Sequence, residues 1–401
     1  MIKFSKKGKQ IESGSNLSIR EKIAAGLGQE FRLGAVLIVL LVIWLFFYTR
    51  EPLFLSSRNL SNLALQTVVT AILALGISFV LFIGEIDLSV GAASGALAAL
   101  MGRIATDGHM NAWLSVAVAV LVGVLFGALQ GFVVIFGAPS FMVTLGSSIA
   151  LAGGLLLVLP TSGSIDLSQS PILHLAGSFL DPSLSWALML LIVFILFALR
   201  VTERNRIRKE IMSTFLKNFT YLALLLIMGG MVVGYFNNSR GVPVAVALTL
   251  LLYLLAWYFS TQTKFGIQIF AVGGNRAASR RAGIPVERVI VICFAIAGGF
   301  AALGGIFAAS RLLGVSNQSG GGDLLLQAIA AAVIGGTSLM GGRGSVWSAL
   351  LGALTIGSVS NGMDLLGLGT EKKFIVTGLI LVLAVTLDAI AARGKIRPVR
   401  T

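Results

Sequence analysis

Cysteine, histidine and charge are scarce in this chain of 401 residues. The single cysteine, Cys293, sits inside an apolar run, so no internal disulfide is available and the redox compartment is left open. Two histidines, His109 and His174, lie far apart with no further ligand types beside them, which argues against a metal site. Charged residues make up 11% of the chain, against roughly 25% in an ordinary soluble domain. So few charges cannot cover a protein of this size in water, which excludes a soluble globular enzyme as the default and leaves lipid facing most of the surface. Neither a His-Glu-x-x-His pattern nor a Gly-x-Ser-x-Gly serine elbow occurs, so a membrane-embedded enzyme has no recognisable centre.

What the chain does have is apolar length and glycine: 56% hydrophobic residues, 48 glycines and a mean hydropathy of +0.95. Unbroken apolar runs of nearly twenty residues exclude a β-barrel, whose strands alternate in segments of roughly ten. The fold class is therefore all-α and polytopic, with small residues permitting close helix packing in the bilayer. Twelve apolar stretches, give or take two, read as transmembrane helices: 33–48, 67–84, 88–101, 113–136, 141–159, 183–199, 220–236, 243–259, 290–309, 324–340, 346–362 and 374–391. Residues 1–32 are mostly polar and basic, so the first stretch reads as a retained span instead of a secretory signal.

The formal charge of +14 reads as topology. No basic face with interleaved aromatics suggests nucleic acid, and the bases fall between apolar runs. With the N-terminus inside, 23 of the 30 lysines and arginines fall in alternate segments: 1–32, the basic loop at 200–219, the loop at 260–289, Arg343 and the tail at 393–401. Both termini are thus expected in the cytoplasm. The longest external loop, 160–182, carries Asp166 and Asp181 and no base, and suits either a partner protein or a plain solvated connector.

Three polar or glycine-rich constellations interrupt the apolar pattern. Gly84-Glu85-Ile86-Asp87-Leu88-Ser89-Val90-Gly91 places two acids where ionisation against lipid is expensive, so it marks either a transport path or a short cytoplasmic turn with Asp87 capping the next helix. A second break, 335–345, superficially resembles a phosphate loop but lacks the Lys-Ser/Thr pair, so this polypeptide is not expected to hydrolyse ATP. Each break precedes a helix of small residues, which suggests an internal repeat. In the third, the cytoplasmic stretch 264–288, Ala277, Ala278 and Ser279 begin a short helix and Gly283 ends it. Its basic flanks suit a groove on a soluble partner or an anionic lipid surface.

At these residues the chain resembles the permease subunits of bacterial ATP-binding-cassette sugar importers, in the branch that handles ribose, xylose, arabinose and galactose. The resemblance runs from about residue 55 onward and rests on Arg58-Asn59-Leu60-Ser61-Asn62-Leu63 with Gln66, on the first break, and on Pro139-Ser140-Phe141-Met142-Val143-Thr144-Leu145-Gly146. It rests further on 271–283, on 330–345 and on Asn361-Gly362-Met363. An extra basic loop and span pair at 200–258, with Arg240-Gly241-Val242-Pro243, looks most like the branch that carries D-xylose.

The resemblance implies an inner-membrane homodimer that passes a monosaccharide by alternating access. An external sugar-binding protein would deliver the substrate, and a cytoplasmic ATP-binding subunit would hold ATP and Mg, leaving this chain without a cofactor. It identifies 264–288 as the segment contacting the ATPase, through Gly273, Gly274, Asn275, Arg276, Ala277, Ala278, Ser279, Arg280 and Gly283, with Arg276 standing where relatives carry a glutamate. Groups expected along the path are Asn59, Asn62, Gln66, Glu85, Asp87, Ser140, Thr144, Gln327 and Asn361, with Gln327 at a position where many relatives have an acid. For the amides and hydroxyls, satisfied polarity between packed helices is an equal alternative. A permease for another sugar or a nucleoside is the nearest alternative, and an ion-coupled secondary transporter the rival from another class. Against that rival, Glu85, Asp87 and Asp388 fall near span ends, away from the midplane where coupling carboxylates are needed.

Overall fold

A computed structural model of the chain describes residues 19–108, 110–207 and 211–393; His109 lies outside them. The elements run α1 Ile19–Arg50, α2 Ser57–Phe82, α3 Val90–Thr106, α4 Ala112–Ile135, α5 Ser140–Val158, β1 Ser164–Asp166, α6 His174–Gly177, α7 Pro182–Ile207, α8 Ile211–Asn237, α9 Val244–Gln262, α10 Lys264–Gly274, α11 Arg276–Arg281, α12 Val286–Leu312, β2 Gly314–Ser316, α13 Gly322–Ile334, α14 Val346–Leu365 and α15 Thr370–Arg393. Each of the twelve apolar stretches falls on one helix. Among the described residues, six helical segments suffice by length and composition to cross a membrane: α2, α4, α5, the 219–237 part of α8, α9 and α12.

Several boundaries differ from the sequence expectation, for local reasons. α2 begins at Ser57, ten residues before the apolar run, because Ser56 caps it by accepting from the Asn59 N–H, and Asn59 and Ser61 of its polar start are buried while Arg58 and Asn62 stay exposed. The basic stretch expected as a loop at 200–219 is largely taken up by the ends of α7 and α8, leaving 208–210 outside the described residues. α1 likewise starts at Ile19, within the segment expected to precede the first span. The expected span at 324–340 becomes α13, only 13 residues long. At 1.5 Å per residue it reaches about 20 Å, too short to cross the roughly 30 Å hydrocarbon core alone.

The core is a pillar of two helices. α2 is buried on every side from Thr67 to Phe82, and α12 carries sixteen buried residues. A helix apolar all round belongs in such a place. α4, α3, α13 and α14 pack around this pillar, while α5, α7 and α8 keep long apolar faces exposed, among them Ile149, Leu157, Phe194 and Met231.

Lipid is as apolar as leucine, so close contact between backbones has to supply the packing energy. A Cβ added at Gly298 of α12 would strike the Gly123 carbonyl of α4, and one added at Gly305 would strike the Ser94 carbonyl of α3.

Connections touch in two separate sets. At one end, residues 82–89, 137–144, 270–283 and 335–345 meet: the Gly342 N–H donates to the Phe82 carbonyl at 2.9 Å and the Ile86 N–H to Ser140 Oγ at 3.3 Å. At the other end, Ser57 Oγ donates to the Tyr235 carbonyl at 2.8 Å and Ser310 Oγ to the Ile172 carbonyl at 2.7 Å. There β1 also pairs antiparallel with β2, Ile165 opposite Val315.

Replacing Gly305 by alanine forces α3 and α12 apart and is expected to cost about 1–3 kcal/mol, read as a lower melting temperature of the purified protein. Gly153→Ala, at a glycine with nothing within 4 Å of the added carbon, is expected to leave that temperature unchanged or raise it.

Candidate functional site

The first break is an extended segment between α2 and α3. Gly84 opens it at φ 74, a left-handed conformation that an L side chain resists. From there the chain runs beside the start of α5, whose hydroxyls serve its backbone. Thr144 Oγ1 accepts from the Leu88 N–H at 3.1 Å and donates to the Ser140 carbonyl at 2.9 Å, while Ser140 Oγ takes the Ile86 N–H. Non-helical backbone beside lipid survives only when so served. Ser140 and Thr144, expected along a path, here hold the break in place.

Asp87 is 2% exposed. Its Oδ1 accepts from the Ser89 N–H at 2.8 Å and from Ser89 Oγ at 2.6 Å. Ser89 Oγ in turn accepts from Gln130 Nε2 of α4 at 2.9 Å. Burial pushes the Asp87 carboxyl above its ordinary value, and the two donations from Ser89 pull it back. Asp87 thus bonds to Ser89, the residue before α3, and does not cap the helix as the sequence allowed, since α3 has no side-chain cap. Gln130 was missed by sequence reasoning; a glutamine inside an otherwise apolar span was the available signal.

Glu85 lies at the same end, 9% exposed. Its Oε1 meets Nη2 of Arg276 at 2.5 Å. Arg276 opens α11, which Asn275 caps by accepting from the Ala278 N–H at 2.9 Å. Gly283 closes the turn after α11 at φ 79, as its position in the sequence suggested. Ala277, Ala278, Arg280 and Arg281 face outward, and Ser279 is buried. Arg280 pairs with Glu287 at 2.8 Å on the exposed side. Gly273 packs its α-carbon onto the Phe82 carbonyl and the Gly342 amide, and Gly274 approaches Gly342 from the other side.

The remaining path candidates separate. Asn59 and Asn361 form a reciprocal amide pair between α2 and α14, Asn59 Nδ2 to Asn361 Oδ1 at 2.8 Å and Asn361 Nδ2 back to Asn59 Oδ1 at 3.2 Å. Asn62 is exposed. Gln66 and Gln327 both line a cavity of about 450 Å³ between α2, α3, α12, α13, α14 and α15. Around them stand Thr70, Ser94, Arg311, Gln318, Asp364 and Lys373. Gln66 Nε2 approaches Asp364 Oδ2 at 3.4 Å, and Asp364 also pairs with Lys373. Arg311 and Lys373 carried only topological meaning in the sequence, because nothing local joined them to the glutamines. Such a cavity falls in the size range of small-molecule sites and offers donors and acceptors together, which suits a neutral polyhydroxyl compound. Among the described residues no three of His, Cys, Asp and Glu gather as metal ligands.

Thr144→Val strands the Leu88 N–H in a buried position and is expected to destabilise the protein by about 1–3 kcal/mol. Thr144→Ser, which keeps the acceptor, restores most of that in the same thermal melt.

Residues 59–385 match the family described as branched-chain amino acid transport system / permease component. The xylose transport system permease protein XylH of Escherichia coli K12 is 37% identical over 374 residues, 88% of this chain and 91% of the relative. The namesake protein of Haemophilus influenzae is 36% identical over 365 residues, 88% and 95%. The ribose import permease protein RbsC of Escherichia coli K12 is 32% identical over 358 residues, 88% and 92%. No solved structure matches. With most of its length inside the matched region and its helices apolar enough to span a membrane, the chain belongs to this family of membrane transport permeases.

Proposed function

We propose that this chain is the membrane subunit of an ATP-driven importer for a monosaccharide, D-xylose first, working as a homodimer in the bacterial inner membrane by alternating access. The observation that carries the reading is the 37% identity to a xylose permease along 88% of the chain. The structure supports it with an exposed short helix, α11, seated on two broken helices, an arrangement suited to passing motion from a cytoplasmic ATPase. Placing that end in the cytoplasm agrees with the alternate gathering of 23 of the 30 bases; on this reading twelve stretches cross, α13 together with the break that follows it, and both termini lie inside. ATP and Mg belong to the partner ATPase. The external loop at 160–182 receives the sugar-binding protein, and Gln66 and Gln327 belong to the path. Ribose is the second reading, favoured by the 32% identity to a ribose permease.

The test is uptake of radiolabelled D-xylose into liposomes holding the protein. Uptake that requires the ATPase, the binding protein and ATP, and that ribose inhibits only weakly, supports the proposal. Uptake by this protein alone under a proton or sodium gradient overturns it.

Gln66→Ala and Gln327→Ala each remove one donor-acceptor group from the cavity and are expected to lower uptake efficiency roughly two- to twelve-fold, the worth of one net hydrogen bond, without changing the melting temperature. Asn59→Ala, which breaks the α2–α14 amide pair, is expected to do the reverse: a lower melting temperature and an unchanged KM.

A further inference from the structure

Three segments distant in sequence meet at one point without side chains between them. A Cβ added at Gly341 would lie 2.6 Å from the Gly84 amide nitrogen and 3.0 Å from the Gly273 carbonyl. One added at Gly273 would collide with the Phe82 carbonyl and lie 2.5 Å from the Gly342 nitrogen. The end of α10 is thus pressed directly onto both glycine-rich breaks. Contact of this kind transmits compression, because closely packed backbones resist further approach. It does not transmit a pull.

One side chain supplies what the glycines do not. Arg276, first residue of α11, turns inward from a helix whose other face is exposed. Its Nη2 donates to Glu85 Oε1 at 2.5 Å and to the Ile83 carbonyl at 3.2 Å. Glu85 belongs to the first break, and Ile83 is the residue that leads into it from α2. We infer that the Arg276–Glu85 pair is a latch that makes the first break follow α11 in both directions, so that these two positioning residues set how tightly partner movement is converted into movement of the path. This inference rests on reading α11 as the ATPase contact.

The route onward is visible in the structure. Beyond Glu85 the break is tied to α5 through Ser140 and Thr144 and to α4 through Asp87, Ser89 and Gln130. It then enters α3, whose Ser94 and Gly95 line the cavity that also holds Gln66 and Gln327. Nine residues separate the latch from the cavity wall. The side chain of Arg276 is 40% exposed and that of Glu85 11%. Water reaches the base and screens the pair, so its contribution to overall stability is small. Its value lies in direction: a charged pair with hydrogen bonds resists separation where apolar backbone contact does not.

The experiment uses the full transporter, reconstituted with its ATPase and binding protein, and measures sugar transported per ATP hydrolysed. In the assembled transporter, Arg276→Glu and Glu85→Arg are each expected to lower transport per ATP hydrolysed at least tenfold. The paired reversal, Arg276→Glu with Glu85→Arg, recovers at least threefold of that loss, incompletely because an acid at the first position has no donor for the Ile83 carbonyl. Glu85→Gln, which keeps shape and removes charge, lowers the ratio without affecting the melting temperature and gives the answer even where a reversal does not fold. Transport per ATP unchanged in Glu85→Gln or in either assembled single reversal overturns the latch, as does a paired reversal that assembles without recovery. Wild-type protein taking up sugar without the ATPase instead overturns the function on which the latch rests, an outcome distinct from the first.

Discussion

The structure depends on backbone approaching backbone where a side chain would stand in the way. Inside a bilayer there is no hydrophobic gain from moving one apolar helix from lipid onto another, so contact distance decides which helices associate. Gly123 against Gly298 sets α4 on α12, and Gly305 against Ser94 sets α3 on the same helix. The buried α2–α12 pillar follows from such contacts, and the cavity lies beside it where the start of α13 faces α2, α3 and α15. Glycine acts here less through flexibility than through absence of volume.

The same economy shapes the coupling end. A broken helix can be flexible without being disordered only if its freed amides and carbonyls are served, and at the first break the partners come from neighbours: Ser140 and Thr144 of α5 take amides, Arg276 of α11 serves the Ile83 carbonyl, and Gln130 of α4 holds the Ser89 hydroxyl. Each link is a hydrogen bond of ordinary length, readily exchanged. Such a joint holds one arrangement well and permits a second, which is what alternating access requires of its moving parts. The far end is built differently, from the β1–β2 pairing, the Ser310 contacts and the Asn59–Asn361 amide pair, none of which adjoins a glycine-rich break.

Much of this was legible in the sequence because hydropathy and charge are local. All twelve apolar stretches became helices, and the short helix closed by Gly283 lies where its residues suggested. The two breaks fell where glycine and polar residues interrupted the apolar pattern. What stayed hidden is non-local. Hydropathy does not distinguish α2, buried within protein, from the 219–237 part of α8, where many apolar side chains are exposed, since both are apolar. Glu85 and Arg276 stand 191 positions apart and Asn59 and Asn361 302 apart, so each pair read as isolated polar residues with several possible roles. The sequence left Ser140 and Thr144 open between a path and polarity among packed helices, and their hydrogen bonds go to backbone. The reach of α13 was overestimated because the apolar run continues to Met340, while Gly335 and Gly336 end the helix earlier.

The central claim is that α11 and the two breaks form one mechanical unit. The direct measurement is a spin-label distance between Ala278 and Met340, both exposed, in a Cys293→Ser background, compared in the nucleotide-free and ATP-bound transporter with a second pair at Ala278 and Leu312 spanning the two ends. The account predicts an Ala278–Met340 distance that holds constant while the Ala278–Leu312 distance shifts with nucleotide. A change within the first pair would contradict it, because the coupling helix would then move without carrying the breaks along.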